Sequence, residues 1–253
     1  MVIEVIKIDK NITDLRKQFV KIKNMGYVKS VKVGSTGIGA TFEFLLGKVE
    51  ESFEIPDYEG IEIKTKRGYS KSNIFLFNAV PTGGSFYEVK RLRDSYGWPM
   101  KKNNELKCLY AEVSATIMSK VGIWHYFKLD IDEQNNKLYL EIYNLNWELI
   151  DRETYWDLDI LKEKLYRKLQ ILALVKAWPN NINGEEYYKY FNMHIYVLKR
   201  FNCFIDALKN GKITVNLRIS SFTDERRYGN VDSHGVGFGI HEDDLLDIYD
   251  LYR

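Results

Sequence analysis

Three acids and a lysine stand close together in this 253-residue sequence: Glu43, then Asp57 directly after Pro56, then Glu62 and Lys64 on either side of Ile63. In an extended strand successive side chains alternate faces, so Glu62, Lys64 and Lys66 share one side while Ile61, Ile63 and Thr65 share the other. A Glu and a Lys two positions apart then lie about 7 Å apart along the strand, near enough to act on one ligand. Asp57, on a turn after Pro56, can be carried beside the same strand. Two carboxylates and an amine so arranged suit metal-assisted phosphodiester cleavage. The carboxylates hold Mg2+, a hard cation that prefers oxygen ligands and keeps several waters. The metal generates a nucleophilic hydroxide and offsets charge on the phosphate, and the lysine positions the attacking water or shields the developing charge. A solvated surface ion pair is the plain alternative for Glu-x-Lys, and such pairs contribute little.

Glu43 bears on that choice. The short segment 40–46 is apolar nearly all round, and a carboxylate packed there is costly unless it is paired or bound to a metal; emergence at the rim is the simpler reading. The preceding glycine-punctuated loop, residues 34–39, offers backbone amides at a helix N-terminus, a natural contact for an anion and equally an ordinary helix start. No Gly-Lys-Ser/Thr follows, so a nucleotide-binding P-loop is excluded. His125, His194 and His241 have no metal-ligand spacing and read as ordinary strand or cap histidines. Tyr187, Tyr188 and Tyr190 around Lys189 suit base stacking or, equally, a half-buried strand.

The elements that must position these residues form a mixed α/β chain. The pattern predicts a strand over 2–8, then a helix capped by Asn11 or Thr13 and ended by Gly26. It predicts a short helix over 40–46 stopped by Gly47, and strands over 53–55, 60–66 and 73–77. A helix over 86–96 and a buried strand over 106–113 follow. A hairpin pairs 123–131 with 137–143, and an amphipathic helix covers 157–169 with Leu158, Leu161, Leu165 and Leu169 on one stripe. Strands over 171–177, 187–197, 212–220 and 236–240 and helices over 203–209 and 242–252 complete the chain. Two lobes are expected, 1–118 and 119–253.

Composition sets limits. The chain is 45% hydrophobic with only 17 Gly and 4 Pro, which excludes a disordered or low-complexity protein. Two distant cysteines, Cys108 and Cys203, exclude a disulfide scaffold and a cysteine-rich zinc site and fit a reducing cytoplasm. No run approaches the roughly 18 apolar residues of a membrane span, and the N-terminus lacks a signal-peptide pattern. The net charge of +2 means that a polyanion must be met by a local cluster. Such a cluster runs from Lys64 through Lys66, Arg67, Lys71, Lys90, Arg91 and Arg93 to Lys101 and Lys102. The tail from His241 is acidic.

The strings GSTGIGATFEFLLG, PDYEGIEIKTKRGYSKSNIFLF and EVKRLRDSYGWP, in that order, resemble the catalytic region of the MvaI/BcnI type II restriction endonucleases, members of the PD-(D/E)xK superfamily similar in structure to the mismatch-repair nickase MutH. The likeness is close over residues 28–100 and looser over the tail, DSHGVGFGIHEDDLLDIYDLY. It implies a PD-(D/E)xK nuclease core with a second mixed-sheet recognition lobe. It implies Glu43, Asp57, Glu62 and Lys64 as the catalytic set, with Asp57 and Glu62 holding Mg2+. It further implies a monomer that cuts the strands of a short pseudosymmetric DNA site one after the other and leaves 5′-phosphates, with a cognate DNA methyltransferase in the same system. Lys66, Arg67, Ser70 and Arg91 are expected on the DNA backbone. By residue type, Asp224, Arg226, Arg227, Asp232 and His234 are candidates for base readout, since Arg can pair with guanine and Asp with cytosine. A MutH-like nickase and a catalytically silent DNA-binding module are the rival readings.

Overall fold

The computed structural model describes residues 2–47, 56–82 and 85–253. The predicted strand 53–55 lies outside them. In chain order the elements are α1 (Val2–Asn24), β1 (Tyr27–Lys29), α2 (Gly37–Leu45), β2 (Glu62–Arg67), β3 (Ile74–Asn78), α3 (Ser85–Tyr96), β4 (Trp98–Met100), β5 (Asn103–Val113), β6 (Ser119–Val121), β7 (His125–Asp132) and β8 (Lys137–Tyr143). They continue with β9 (Leu149–Asp151), β10 (Tyr155–Asp157), α4 (Leu158–Lys168), β11 (Ile171–Ile182), β12 (Glu185–Leu198), α5 (Phe201–Lys209), β13 (Ile213–Ser221), β14 (Val231–Ile240), a 3-10 turn (Glu242–Asp244), α6 (Leu245–Ile248) and β15 (Tyr249–Leu251). No described helix is long and apolar enough to cross a membrane.

The chain divides into two interleaved units. The first holds residues 1–74, 164–199 and 249–253, and the second holds 75–163 and 200–248. The boundary expected between 118 and 119 falls between β5 and β6, both inside the second unit.

In the first unit one sheet runs β1-β12-β11-β2, with β15 on β12. One face packs on the stripe Ile12, Leu15, Phe19 and Ile22 of α1 and on Ile38 and Phe42 of α2, against Ile61, Ile63, Ala173, Val175, Tyr188 and Tyr190 of the sheet region. Large side chains buried this way each contribute about 1.5–3 kcal/mol. Tyr188 and Tyr190 are fully buried, and Tyr190 donates to the Ile38 carbonyl at 2.7 Å, so these two tyrosines are core and not stacking platforms.

Residues 2–8 correct the sequence reading: they are the first turns of α1, not a strand. Their β-branched residues favour a strand, yet Ile8 already continues the helical stripe, and prolonging an existing helix gains one backbone bond per residue fixed. Asn11 and Thr13 are accordingly inside the helix. Asn11 donates to the Glu59 carbonyl at 2.9 Å and Thr13 to the Asp9 carbonyl at 2.9 Å. Gly26 ends the helix at φ +73°.

The second unit holds two sheets, β3-β14-β13-β5-β4 and β10-β8-β7-β6 with β9 on β8. Phe77 stacks on Phe238 at 5.0 Å, and the buried Trp156 donates to the Ala79 carbonyl at 2.9 Å. The β7–β8 hairpin forms as expected, with Asn136 at φ +56° in its turn. In β5 the buried residues Leu106, Cys108, Leu109 and Val113 are interspersed with exposed ones, so the segment 106–113 is not wholly buried. The helix expected over 242–252 breaks up after Ile248, where Tyr249–Leu251 pair with Tyr196–Leu198 of β12. The free edge of β12 supplies backbone partners that the exposed last turns of a helix would lack.

Candidate active site

β2 is the end strand of its sheet path and runs parallel to β11, with Glu62 beside Leu172, Lys64 beside Leu174 and Lys66 beside Lys176. A tight turn leads into it. Tyr58 and Ile61 exchange backbone bonds of 2.9 and 2.8 Å across Glu59 (φ +46°) and Gly60 (φ +88°). Two consecutive positive φ values make this the hairpin turn whose twist matches that of strands. It folds Asp57 back along β2, where Oδ2 accepts the Ile63 N–H at 2.8 Å. Asp57 thus meets the strand at the residue between Glu62 and Lys64, as the Pro-Asp spacing predicts.

Glu62 is only 1% exposed. Its Oε1 takes a 2.6 Å bond from the Lys64 ammonium and lies 3.4 Å from that of Lys168, in the last turn of α4. Its Oε2 is buried without a hydrogen-bond partner. Burial pushes the Glu62 carboxyl above its usual range; Lys64 pulls it down, the charge of Asp57 pushes it up again, and Lys168 offsets part of that. The buried Tyr249 donates to the Leu169 carbonyl at 3.2 Å, and burial, with the charge of Glu62 behind it, pushes its phenol up. Lys168 was not legible in the sequence. It is one of several lysines on an amphipathic helix, and only the chain return at residue 164 brings it to Glu62.

Glu43 arrives from α2. A Cβ on Gly39 would lie 3.3 Å from Thr65 Oγ1 and 3.8 Å from Glu43 Oε1. Glu43 therefore approaches β2 on the Thr65 side, half-buried, while Asp57, Glu62 and Lys64 gather around Ile63. Among the described residues no three Asp, Glu, His or Cys side chains are drawn into one metal-holding group. The donors nevertheless fit a hard divalent cation. Mg2+ is commonly bound by one or two carboxylates with water completing the shell, and a buried carboxylate oxygen with no donor of its own is the ligand such an ion needs.

Gly37, where the glycine-rich loop enters α2, is closely packed. A Cβ at Gly37 would fall 2.4 Å from the Lys32 carbonyl, 2.7 Å from Ser30 Oγ and 2.9 Å from the Tyr188 hydroxyl, so only glycine fits there.

The residues expected on the DNA backbone divide. Lys66 is buried at 7% exposure, and Ser70 shares a 2.8 Å bond with Ser72. Arg67 is paired with Glu186 at 2.8 Å. Arg91 is committed to Glu88, Asp151 and Thr154. Of the remaining basic cluster, Arg93 is buried, bonding Ser221 and Gly229, whereas Lys71, Lys101 and Lys102 are exposed. Among the readout candidates, Arg226 is exposed, and Arg227 pairs with Asp224 at 3.0 Å while lying 3.6 Å over Phe222. Asp232 is half-buried on β14, and His234 lies in the same strand. His194 shares bonds with Asn192 and Tyr196, and His241 accepts from the Asp243 N–H as a cap, so these two histidines play the ordinary parts expected of them.

The chain compares closely with known proteins. Residues 16–249 match the model of the MvaI/BcnI restriction endonuclease family. A solved structure described as restriction endonuclease MvaI in complex with a cognate DNA substrate aligns at TM-score 0.86 and 29% identity, covering 95% of this chain and 96% of that one. Restriction endonuclease MvaI in the absence of DNA aligns at TM-score 0.62 and 26% identity, covering 96% of each. A comparison with curated proteins returns no match. The glycine-rich loop, the Pro-Asp turn and the Glu-x-Lys strand all lie within the matched span, and the chain belongs to the MvaI/BcnI restriction endonuclease family of type II site-specific nucleases.

Proposed function

We propose that this chain hydrolyses phosphodiesters of double-stranded DNA at a short specific sequence, with Mg2+ as cofactor, and leaves 5′-phosphates. It acts in the cytoplasm as a monomer that cuts the two strands in succession, alongside a DNA methyltransferase that protects the host's own sites. The observation that carries this reading is the buried Glu62 carboxylate, bonded on one oxygen by Lys64 and bare on the other, with Asp57 fixed one residue away.

In this reading Asp57 and Glu62 hold Mg2+, which supplies a Lewis acid for the phosphate and lowers the pKa of a bound water. The protein's own groups do the rest. The Ile63 N–H fixes the Asp57 carboxylate through Oδ2. Lys64 holds Glu62 and keeps two further N–H donors for the scissile phosphate or for the water attacking it. Glu43 adds negative charge near the Thr65 side of the strand. The first unit is the catalytic one, and Arg226, Asp232 and His234 of the second read base edges.

Purified protein incubated with Mg2+ and a plasmid of known sequence tests this directly. Fragments with 5′-phosphate ends at one repeated sequence are the expected result. Nicks alone, stimulated by a repair ATPase, would point to the MutH-like activity. Binding without cleavage, unchanged in Glu62→Ala, would leave only a DNA-binding module.

A further inference from the structure

After the second unit the chain returns to the first for its last residues, 249–253. This tail is tied down along its length. Tyr249, Asp250 and Leu251 pair with Leu198, Val197 and Tyr196 of β12, and the Tyr252 N–H donates to the Ile195 carbonyl at 2.8 Å. The Tyr252 hydroxyl donates to Asp9 at 2.6 Å, and its carbonyl accepts from Arg16 at 3.1 Å, both on α1. Of residues 249–253, Tyr249 is the one whose side chain is fully buried.

The Tyr249 hydroxyl reaches the end of α4. Leu169 follows that helix directly, and its N–H closes a bond to the Leu165 carbonyl at 2.8 Å. Its own carbonyl lies past the last turn, where no further turn supplies a donor, and Tyr249 supplies one at 3.2 Å. The next carbonyl, of Gln170, accepts the Leu198 N–H at 2.9 Å. The residue just before Leu169 is Lys168, whose ammonium lies 3.4 Å from Glu62 Oε1, against 2.6 Å for that of Lys64. The longer contact is the one that a small drift of the helix end would lose. Burial and the charge of Glu62 both push the Tyr249 phenol up, so it keeps its proton and stays a donor. A phenylalanine would fill the same volume with no polar group to desolvate, and one hydrogen bond adds only modestly to stability. What the hydroxyl adds is a fixed starting point for the Lys168 side chain.

We propose that Tyr249 is a positioning residue for cleavage: by holding the Leu169 carbonyl it keeps the Lys168 ammonium on Glu62 Oε1 while Lys64 turns to the phosphate or the attacking water. The inference rests on the Mg2+-dependent nuclease reading above and deepens it. Two lysines address one oxygen of Glu62, and in that reading Lys64 has a second duty at the substrate. A buried carboxylate that loses its cation is costly. A second cation, carried by another element and anchored through its backbone, lets Lys64 leave without that cost. Glu62 then stays in place with Oε2 still without a donor of its own, and outer partners of this kind are what hold a metal-binding carboxylate in its orientation.

The test is a double-variant cycle on the full chain: wild type, Tyr249→Phe, Lys168→Met and the two combined. Tyr249→Phe deletes one oxygen and keeps the ring; urea midpoints establish that each protein is folded. Two quantities are read, the affinity for Mn2+ without DNA by electron paramagnetic resonance and the single-turnover cleavage rate as a function of Mg2+ concentration. Tyr249→Phe should weaken Mn2+ binding and slow cleavage at limiting Mg2+ by about 3- to 10-fold. Added to Lys168→Met, it should change neither quantity by more than about 2-fold, because the two residues act through one contact. Losses that multiply in the combined variant, or a folded Tyr249→Phe protein that binds Mn2+ and cleaves as wild type does, overturn the assignment. A Tyr249→Phe chain that fails to fold makes the hydroxyl a structural group and overturns it as well. Wild type that cuts no DNA with Mg2+ overturns the nuclease reading itself, and the Mn2+ measurements keep that outcome separate from the behaviour of the variants.

Discussion

Each unit of this molecule buries a charged centre, and the two are satisfied to different degrees. In the second unit Arg91 bonds Glu88, Asp151 and Thr154, and Tyr96 donates to Asp151 at 2.6 Å, so the Asp151 carboxylate, 5% exposed, is answered on both oxygens. In the first unit Glu62 is equally deep, yet one oxygen has no donor at all. The saturated centre ties α3 to β9. The unsaturated one keeps a carboxylate oxygen with no donor. Residue type and burial alone do not separate such centres; the count of unanswered hydrogen-bonding groups does.

The largest effect should come from breaking the unsaturated centre. Glu62→Gln should lower single-turnover cleavage by about 10³-fold or more, while its thermal midpoint stays level or rises because a buried charge is gone. A lower midpoint would mean that Glu62 is structural after all. Arg91→Ala should do the reverse: leaving Asp151 without its cation should cost about 3–5 kcal/mol in urea unfolding. A variant of Arg91 that folds normally but binds duplex poorly would restore the backbone-contact reading of that residue. Lys168→Met should reduce cleavage by about 10-fold through a misplaced Glu62 carboxylate, with a smaller loss of stability than Arg91→Ala. Unchanged cleavage would remove Lys168 from the site.

The smallest expected effect is one of pH. Burial pushes the Asp151 carboxyl up, but bonds from Arg91, the Glu153 N–H and Tyr96 outweigh it and hold the pKa below the usual 3.8. A depressed carboxyl stabilises the fold above its unfolded value and loses that contribution as pH falls through the folded one. The stability advantage of wild type over Asp151→Asn should therefore be level from neutral pH to about 5 and narrow below 3.8. An advantage that persists undiminished at the lowest pH would show that packing, not charge, sets it.

Much of the candidate site in the first unit was legible because its signals are local. Asp57 reaches β2 through a turn of four residues, and alternation alone puts Glu62 and Lys64 on one face. Charge partners are different, since they depend on chain returns that no spacing encodes. Arg91 meets Asp151 and Arg67 meets Glu186 across long separations, so two side chains expected on the DNA backbone also carry internal ion pairs that no spacing announces. At the termini, residues 2–8 followed the helix behind them and residues 249–251 followed the sheet beside them, in each case against local pattern.

The parallel pairing of β2 with β11 has a consequence for the cell that makes this protein. Everything from residue 68 to residue 170 is synthesised between the strand bearing Glu62 and Lys64 and the strand that flanks it among the described residues. Until that later strand has left the ribosome, β2 lacks the strand it pairs with, and the slow closure of so distant a pairing extends the delay. The sheet of the first unit therefore closes only late in synthesis, after the intervening residues have been made.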